Sequence, residues 1–171
     1  MKSRAAQWIS IVAAIGFWST IAVPARAEGD PAVLAAAVND TTATLQGGLK
    51  ASEREGAPIS AKFEIADGKL QLSVYTMKGN DFMEVVADPK TGASAEAEKI
   101  TDAEDLKAAT SQKAAMAKAK VPLLAVTETV VKANPGFVAV SIFPDLKNGQ
   151  ATAEVTLLQG TTLKKVTEKL D

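Results

Sequence analysis

The chain has 171 residues, 47% hydrophobic and 23% charged, with 19 basic against 20 acidic side chains and a formal net charge of −1. That composition belongs to a globular protein, and the length fits one large domain or two small ones. It contains no cysteine and no histidine, which excludes disulfide frameworks, Cys/His zinc centres, thiol nucleophiles, Ser-His-Asp triads and haem ligation by those residues.

Met1-Lys2-Ser3-Arg4 precedes an apolar run from Trp8 to Val23, and then Pro24-Ala25-Arg26-Ala27. Early positive charge, an apolar core and an Ala-x-Ala site are the three parts of a secretory signal peptide. The run is shorter than the roughly 20 residues of a membrane span. Residues 1–27 are therefore expected to be cleaved, with the remainder released to the periplasm without membrane insertion. No cysteine follows the run, so a lipoprotein anchor is excluded. Cleavage removes Lys2, Arg4 and Arg26 and no acidic residue, leaving a more acidic chain unsuited to nucleic acid or an anionic membrane surface. The remaining aromatics are Phe63, Tyr75, Phe82, Phe137 and Phe143, too few for base-stacking or sugar-binding platforms. With no disulfide in an oxidising compartment, packing alone must stabilise the fold.

Asp30-Pro31 signals a helix start, Asp as N-cap and Pro as first helical residue. The spacing predicts one helix over Ala32 to Glu55, with Val33, Leu34, Val38, Leu45 and Leu49 as its apolar stripe and a weak point at Gly47-Gly48. From Ile59 the period changes to two. Ile59, Ala61, Phe63 and Ile65 point one way, and Ser60, Lys62 and Glu64 the other. Asp67-Gly68 is a hairpin turn, Leu70, Leu72 and Val74 continue the alternation, and a second turn follows at Lys78-Gly79-Asn80-Asp81. Phe82 to Ala87 reads as a third strand, closed by Asp88-Pro89-Lys90-Thr91-Gly92.

Thr101-Asp102-Ala103-Glu104 fits a capping box opening an Ala- and Lys-rich helix from Ala103 to Lys120. Pro122 starts a further helix, Leu123 to Ala133, stopped by Asn134-Pro135-Gly136. Phe137 to Phe143, Ala151 to Leu158 and Leu163 to Leu170 then read as strands, separated by turns at Lys147-Asn148-Gly149 and Gln159-Gly160.

The two halves share this layout. Gly68 and Gly149 are 81 residues apart, as are Gly79 and Gly160. At the same offset Asp67 falls on Asn148, Val74 on Val155, Met77 on Leu158, Phe82 on Leu163 and Val85 on Val166. A three-stranded sheet must bury one face, and one helix laid across it does so. The expected fold is α+β, with two tandem helix–strand–strand–strand units, each a small antiparallel sheet packed on a helix. Residues 28–94 form the first unit, 95–120 a connecting Ala/Lys-rich helix and 121–171 the second. Two such units can also share helices or pair their sheets edge to edge.

Leu72-Ser73-Val74-Tyr75, and Phe82 to Ala87 followed by Asp88-Pro89-Lys90-Thr91-Gly92, resemble the second and closing strands of the PepSY domain with its Asp-x-x-Thr-Gly turn. Val130 to Gly136 resembles the helix end before that family's first strand, and Val166 to Asp171 its last strand, without the Thr-Gly. The match covers about Leu45 to Gly92 and, less closely, Val126 to Asp171. The family occurs in propeptides of thermolysin-type metalloproteases and in many exported bacterial proteins. The resemblance implies the fold and a role in restraining a protease or another extracytoplasmic protein, here in trans. It implies no catalytic residue and no cofactor.

The candidate sites have simpler readings. Asp88 to Gly92 is a capped turn, because one carboxylate is far short of the six to eight oxygens calcium takes. Glu84 and Asp88 would stand about 13 Å apart on a regular strand, too far to act as paired glycosidase carboxylates. Ser111-Gln112-Lys113 and Ser60-Ala61-Lys62 place a serine near a lysine, but the first pair diverges on a helix and the second forms an ordinary polar strand face. Lys107, Lys113, Lys118 and Lys120 read as a solvated helix face beside Glu104 and Asp105. Gly47-Gly48 lacks the strand and lysine of a phosphate loop. What remains is the sheet, whose free edge or polar face can hold another chain. Lys62, Glu64, Gln71, Ser73 and Tyr75 are the expected partner-binding residues, with Tyr75 either a contact residue or a buried tyrosine. The reading is a non-enzymatic periplasmic protein without metal or cofactor. Its partner is a protein or peptide, a protease being one candidate, and the alternative is a small ligand in a cleft between the units.

Overall fold

The structure is a computed structural model that describes residues 30–171; the expected export segment lies outside them. The fold is α+β, with four helices and one seven-stranded antiparallel sheet. In chain order the elements are α1 (Pro31–Asn39), α2 (Leu45–Ser52), β1 (Ala57–Ala66), β2 (Lys69–Lys78), β3 (Asp81–Ala87), β4 (Ser94–Lys99), α3 (Ala103–Met116), α4 (Leu123–Ala133), β5 (Val138–Lys147), β6 (Gln150–Gln159) and β7 (Thr162–Lys169). The sheet order is β4-β3-β2-β1-β5-β6-β7.

Turn chemistry sets the registers. Asp67 and Gly68 have φ of 50° and 73°, and Asn148 and Gly149 of 53° and 79°. Positive φ at both central residues makes a two-residue turn whose twist matches the flanking strands. The pairings Phe63↔Leu72 and Val74↔Val85 recur 81 residues later as Pro144↔Ala153 and Val155↔Val166. A bulge between Pro58 and Ser60 likewise recurs between Ala139 and Ser141. The strands of the two halves meet edge to edge, β1 on β5, through Ala61↔Ile142 and Lys62↔Ser141.

Alternation distributes side chains between the faces. Leu70, Leu72 and Val74 of β2, Val85 and Ala87 of β3, and Ala61 and Phe63 of β1 pack in one cluster with Leu34 and Val38 of α1, Leu45 and Leu49 of α2, and Leu123, Val126 and Val130 of α4. The opposite parity of β2 and β3, Tyr75, Met77 and Phe82, packs with Ile59, Ile100 and the α3 residues Leu106, Ala109 and Met116 in a second cluster. Helices therefore lie on both faces, where one covered face was expected.

Three local expectations are corrected. The helix predicted over Ala32 to Glu55 breaks at Asp40–Thr44 rather than at the glycines. There Thr41 Oγ1 accepts the Ala43 N–H at 3.2 Å, and Thr44 Oγ1 accepts the Gly47 N–H at 3.0 Å and caps α2. Short polar side chains that bond nearby backbone compete with helix at such a point. Gly48 instead lets α2 approach the sheet, since a Cβ there would lie 2.5 Å from Leu72 Cδ2. Residues 95–99, expected within a connecting helix, belong to β4, because the outer edge of β3 offers them a ladder. The N-cap of α3 is Asp102, whose carboxylate accepts the Glu104 and Asp105 N–H groups at 2.9 and 3.1 Å. Thr101 stands one residue too early.

Candidate functional site

The sheet brings four of the five expected partner-binding residues into one hydrogen-bonded row. Gln71 and Ser73 alternate along β2, Lys62 and Glu64 along β1, and the register sets Lys62 beside Ser73 and Glu64 beside Gln71. Gln71 Nε2 donates to Ser73 Oγ at 2.8 Å, Ser73 Oγ to Glu64 Oε1 at 3.0 Å, and Lys62 Nζ to Glu64 Oε2 at 2.5 Å. Glu64 thus links Ser73 to Lys62, one carboxylate oxygen to each. Ser73 is buried, while the Lys62 and Glu64 side chains are 19% and 27% exposed.

Tyr75 continues the same strand parity but does not join the row. It is 7% exposed and packs with Ile59, Phe82, Ile100 and Ala109 beneath α3. The cause is α3 lying on the second face of the sheet, which nothing in the alternation of β2 announces.

Sequence reasoning missed Ser141. Its register opposite Lys62 extends the row onto β5. It is 4% exposed, and its Oγ has no hydrogen-bond partner among the described residues. Only the β1–β5 pairing, which links residues 79 positions apart, brings it there. The row can donate and accept hydrogen bonds across three strands. It is poorly built for nucleophilic catalysis, because the Lys62 ammonium is committed to Glu64 rather than to a serine hydroxyl.

The other candidate sequences take their simpler roles. Asp88 Oδ1 accepts the Lys90 and Thr91 N–H groups at 2.7 and 2.9 Å, and these bonds hold its carboxyl below the ordinary value of 3.8. Gly92 completes the turn at φ 70°. Ser111 Oγ donates to the Lys107 carbonyl, while Lys113 Nζ reaches Asn80 Oδ1 at 3.3 Å and lies 5.8 Å from the centre of the Phe82 ring. Lys118 Nζ donates to the Gly149 carbonyl at 3.2 Å. Ser60 is buried, and Glu84 lies within β3 opposite Glu98. Among the described residues no group of three or more acidic side chains is placed to hold a metal ion.

A cavity of about 190 Å³ lies on the face covered by α1, α2 and α4. Val38, Phe63, Val131, Val138 and Ala139 give it apolar walls, and Thr41, Thr42, Thr44 and Gln46 supply polar atoms. It is bounded by elements from both halves of the chain. Among the described residues no helix is long and apolar enough to cross a membrane.

No family model and no curated relative matches the sequence. A solved structure of a candidate lipoprotein from Clostridium difficile 630 aligns with 70% of this chain and 87% of its own, at 15% identity and a TM-score of 0.34.

Proposed function

We propose that this chain is an exported, PepSY-like, non-enzymatic binding protein of the periplasm that modulates a protease or another envelope protein in trans. The recurrence of hairpin turns, bulges and strand registers at an offset of 81 residues supports reading it as two tandem units fused along β1 and β5. The observation that carries the binding role is the row Gln71–Ser73–Glu64–Lys62, whose polar groups are held in place by one another before any partner arrives. Such preorganisation lowers the ordering cost of association.

The row sits on central strands. β1 is paired on both sides, by β2 and β5, and β2 by β1 and β3, so a partner at this site meets the face and not an edge. The test is capture from periplasmic extract on immobilised residues 28–171, compared with the Lys62→Ala and Glu64→Gln variants. A protein retained by the parent chain and lost from both variants supports the reading, and its protease activity with and without the chain then decides whether the effect is inhibition. Equal capture by all three sinks the row as the contact surface.

The alternative is a small-ligand binder, favoured by the cavity between elements of the two halves. Its volume is comparable with that of an engineered apolar cavity of about 150 Å³ that takes benzene, so it suits a single ring or a short branched chain. Thermal upshift with such compounds, abolished by Ala139→Leu, would favour it.

A further inference from the structure

We propose that the outer edge of β7 is a strand-addition site for an extended segment alternating acidic and apolar residues. This rests on the reading of the chain as a binder of protein segments, but not on the polar row.

The first half of the fold supplies the template. β3 and β7 stand at the same 81-residue offset, each paired on its inner side through Val74↔Val85 or Val155↔Val166. The outer edge of β3 is filled by β4, with Glu84↔Glu98, Val85↔Ala97 and Val86↔Glu96. The outer edge of β7 pairs with no strand among the described residues. Apart from the half-buried Val166, every residue from Thr162 to Lys169 is exposed, on both faces of the strand.

Backbone polarity follows from the two-residue turn at Gly160. The Gln159↔Thr162 pair closes the hairpin, so alternate residues Lys164, Val166 and Glu168 turn their N–H and C=O groups toward β6. The Leu170 N–H on the Ala151 carbonyl, at 3.0 Å, continues that parity. Leu163, Lys165 and Thr167 therefore direct theirs outward. In the first half the outward set is Phe82, Glu84 and Val86, and the Phe82 carbonyl accepts the Ile100 N–H at 3.0 Å.

Charge selects the occupant. Lys165 stands where Glu84 stands in the first half, and β7 carries Lys164, Lys165 and Lys169 against Glu168. A strand in the register of β4 would set a glutamate opposite Lys165, where β3 and β4 oppose Glu84 with Glu98, and an apolar residue opposite Val166. Lys165 is steadied by Glu154 at 2.8 Å and exposed at 62% of its side chain. A second copy paired β7 to β7 would instead concentrate six lysines against two glutamates along one seam, which like-charge repulsion disfavours.

The probe is an end-blocked nonapeptide of alternating glutamate and valine, with a lysine-for-glutamate peptide as control, read by amide hydrogen exchange in the folded chain. The acidic peptide is expected to bind and to slow exchange at Lys165 and Thr167, leaving Lys164 and Val166 unchanged because β6 already holds them. Lys165→Glu should weaken binding about tenfold. Thr167→Pro removes an outward N–H from an edge strand that tolerates proline there, and should abolish it. Lys62→Ala and Glu64→Gln should bind the peptide as the parent does. Equal binding of both peptides, no binding of the acidic one, or outward amides already protected in the free chain overturns the proposal. Peptide binding that is lost in the Lys62 and Glu64 variants, with β7 silent, overturns it while leaving the polar row standing.

Discussion

Ala61 pairs with Ile142, the residue 81 positions later, at the seam where β1 of one half meets β5 of the other. Both side chains are buried in the same cluster, beside residues of α1, α2 and α4. The backbone seam around them is short, with Lys62↔Ser141 as the other registered pair. Proline has no N–H to donate, and Pro144 lies two residues along β5 at the position whose hydrogen-bonding group faces β1. Side-chain packing rather than ladder length therefore holds the halves together.

The halves should accordingly unfold as one. Calorimetric and van't Hoff enthalpies should agree for residues 28–171. Ile142→Ala should cost about 2–5 kcal/mol while keeping a single transition. Two resolved transitions, or a loss confined to one half, would show that the shared core does not couple them.

Gly48 is needed for the approach of α2 to the sheet. The added methyl of Gly48→Ala would lie 2.5 Å from Cδ2 of the fully buried Leu72, which must shift to admit it. The variant should lose about 1–3 kcal/mol in urea unfolding, despite the better helix propensity of alanine. A gain in stability would mean that α2 shifts freely on the sheet.

Acid should weaken the fold through two surface carboxyls. Backbone N–H groups hold Asp88 below its ordinary value, and the Lys99 ammonium does the same for Asp81 at 2.6 Å. A carboxyl with a depressed folded value stabilises the native state above its unfolded value, and that contribution is lost as pH falls through the folded value. Melting temperature should therefore decline below about pH 4, and Asp88→Asn should flatten the decline. A variant with the same acid limb as the parent would remove Asp88 from the account.

Within the polar row, Glu64→Gln keeps an acceptor for Ser73 but gives up the ion pair with Lys62. Stability should fall by about 1 kcal/mol, measured by urea unfolding at low and moderate salt, with the difference shrinking as salt rises. An unchanged midpoint would mean the row is held by the strands alone.

Much of the fold was legible where chemistry is local. The Asp67-Gly68 and Asn148-Gly149 turns, and the alternation through Leu72 and Val74, placed the hairpins and the polar face. β4 was not legible, because Glu96, Ala97 and Glu98 carry no strand preference and acquire one from the edge of β3. The break before α2 hid in Thr41 and Thr44, whose hydroxyls act on neighbouring backbone. In the site, Lys62, Glu64, Gln71 and Ser73 followed from strand parity. Ser141 needed a long-range pairing, and of the two roles open to Tyr75 the structure takes the buried one, because α3 covers its part of the sheet.

β7 is tethered at one end by the Gly160 turn. At the other it is anchored by Leu170, which is fully buried and whose carbonyl accepts the Lys120 N–H at 2.6 Å. A strand fixed at both ends is already straight before anything meets it, so the loss of conformational freedom on docking falls on the incoming segment alone. Affinity at that edge should then track the stiffness of the visitor: β-branched segments would hold, and glycine-rich ones of the same charge would slip away.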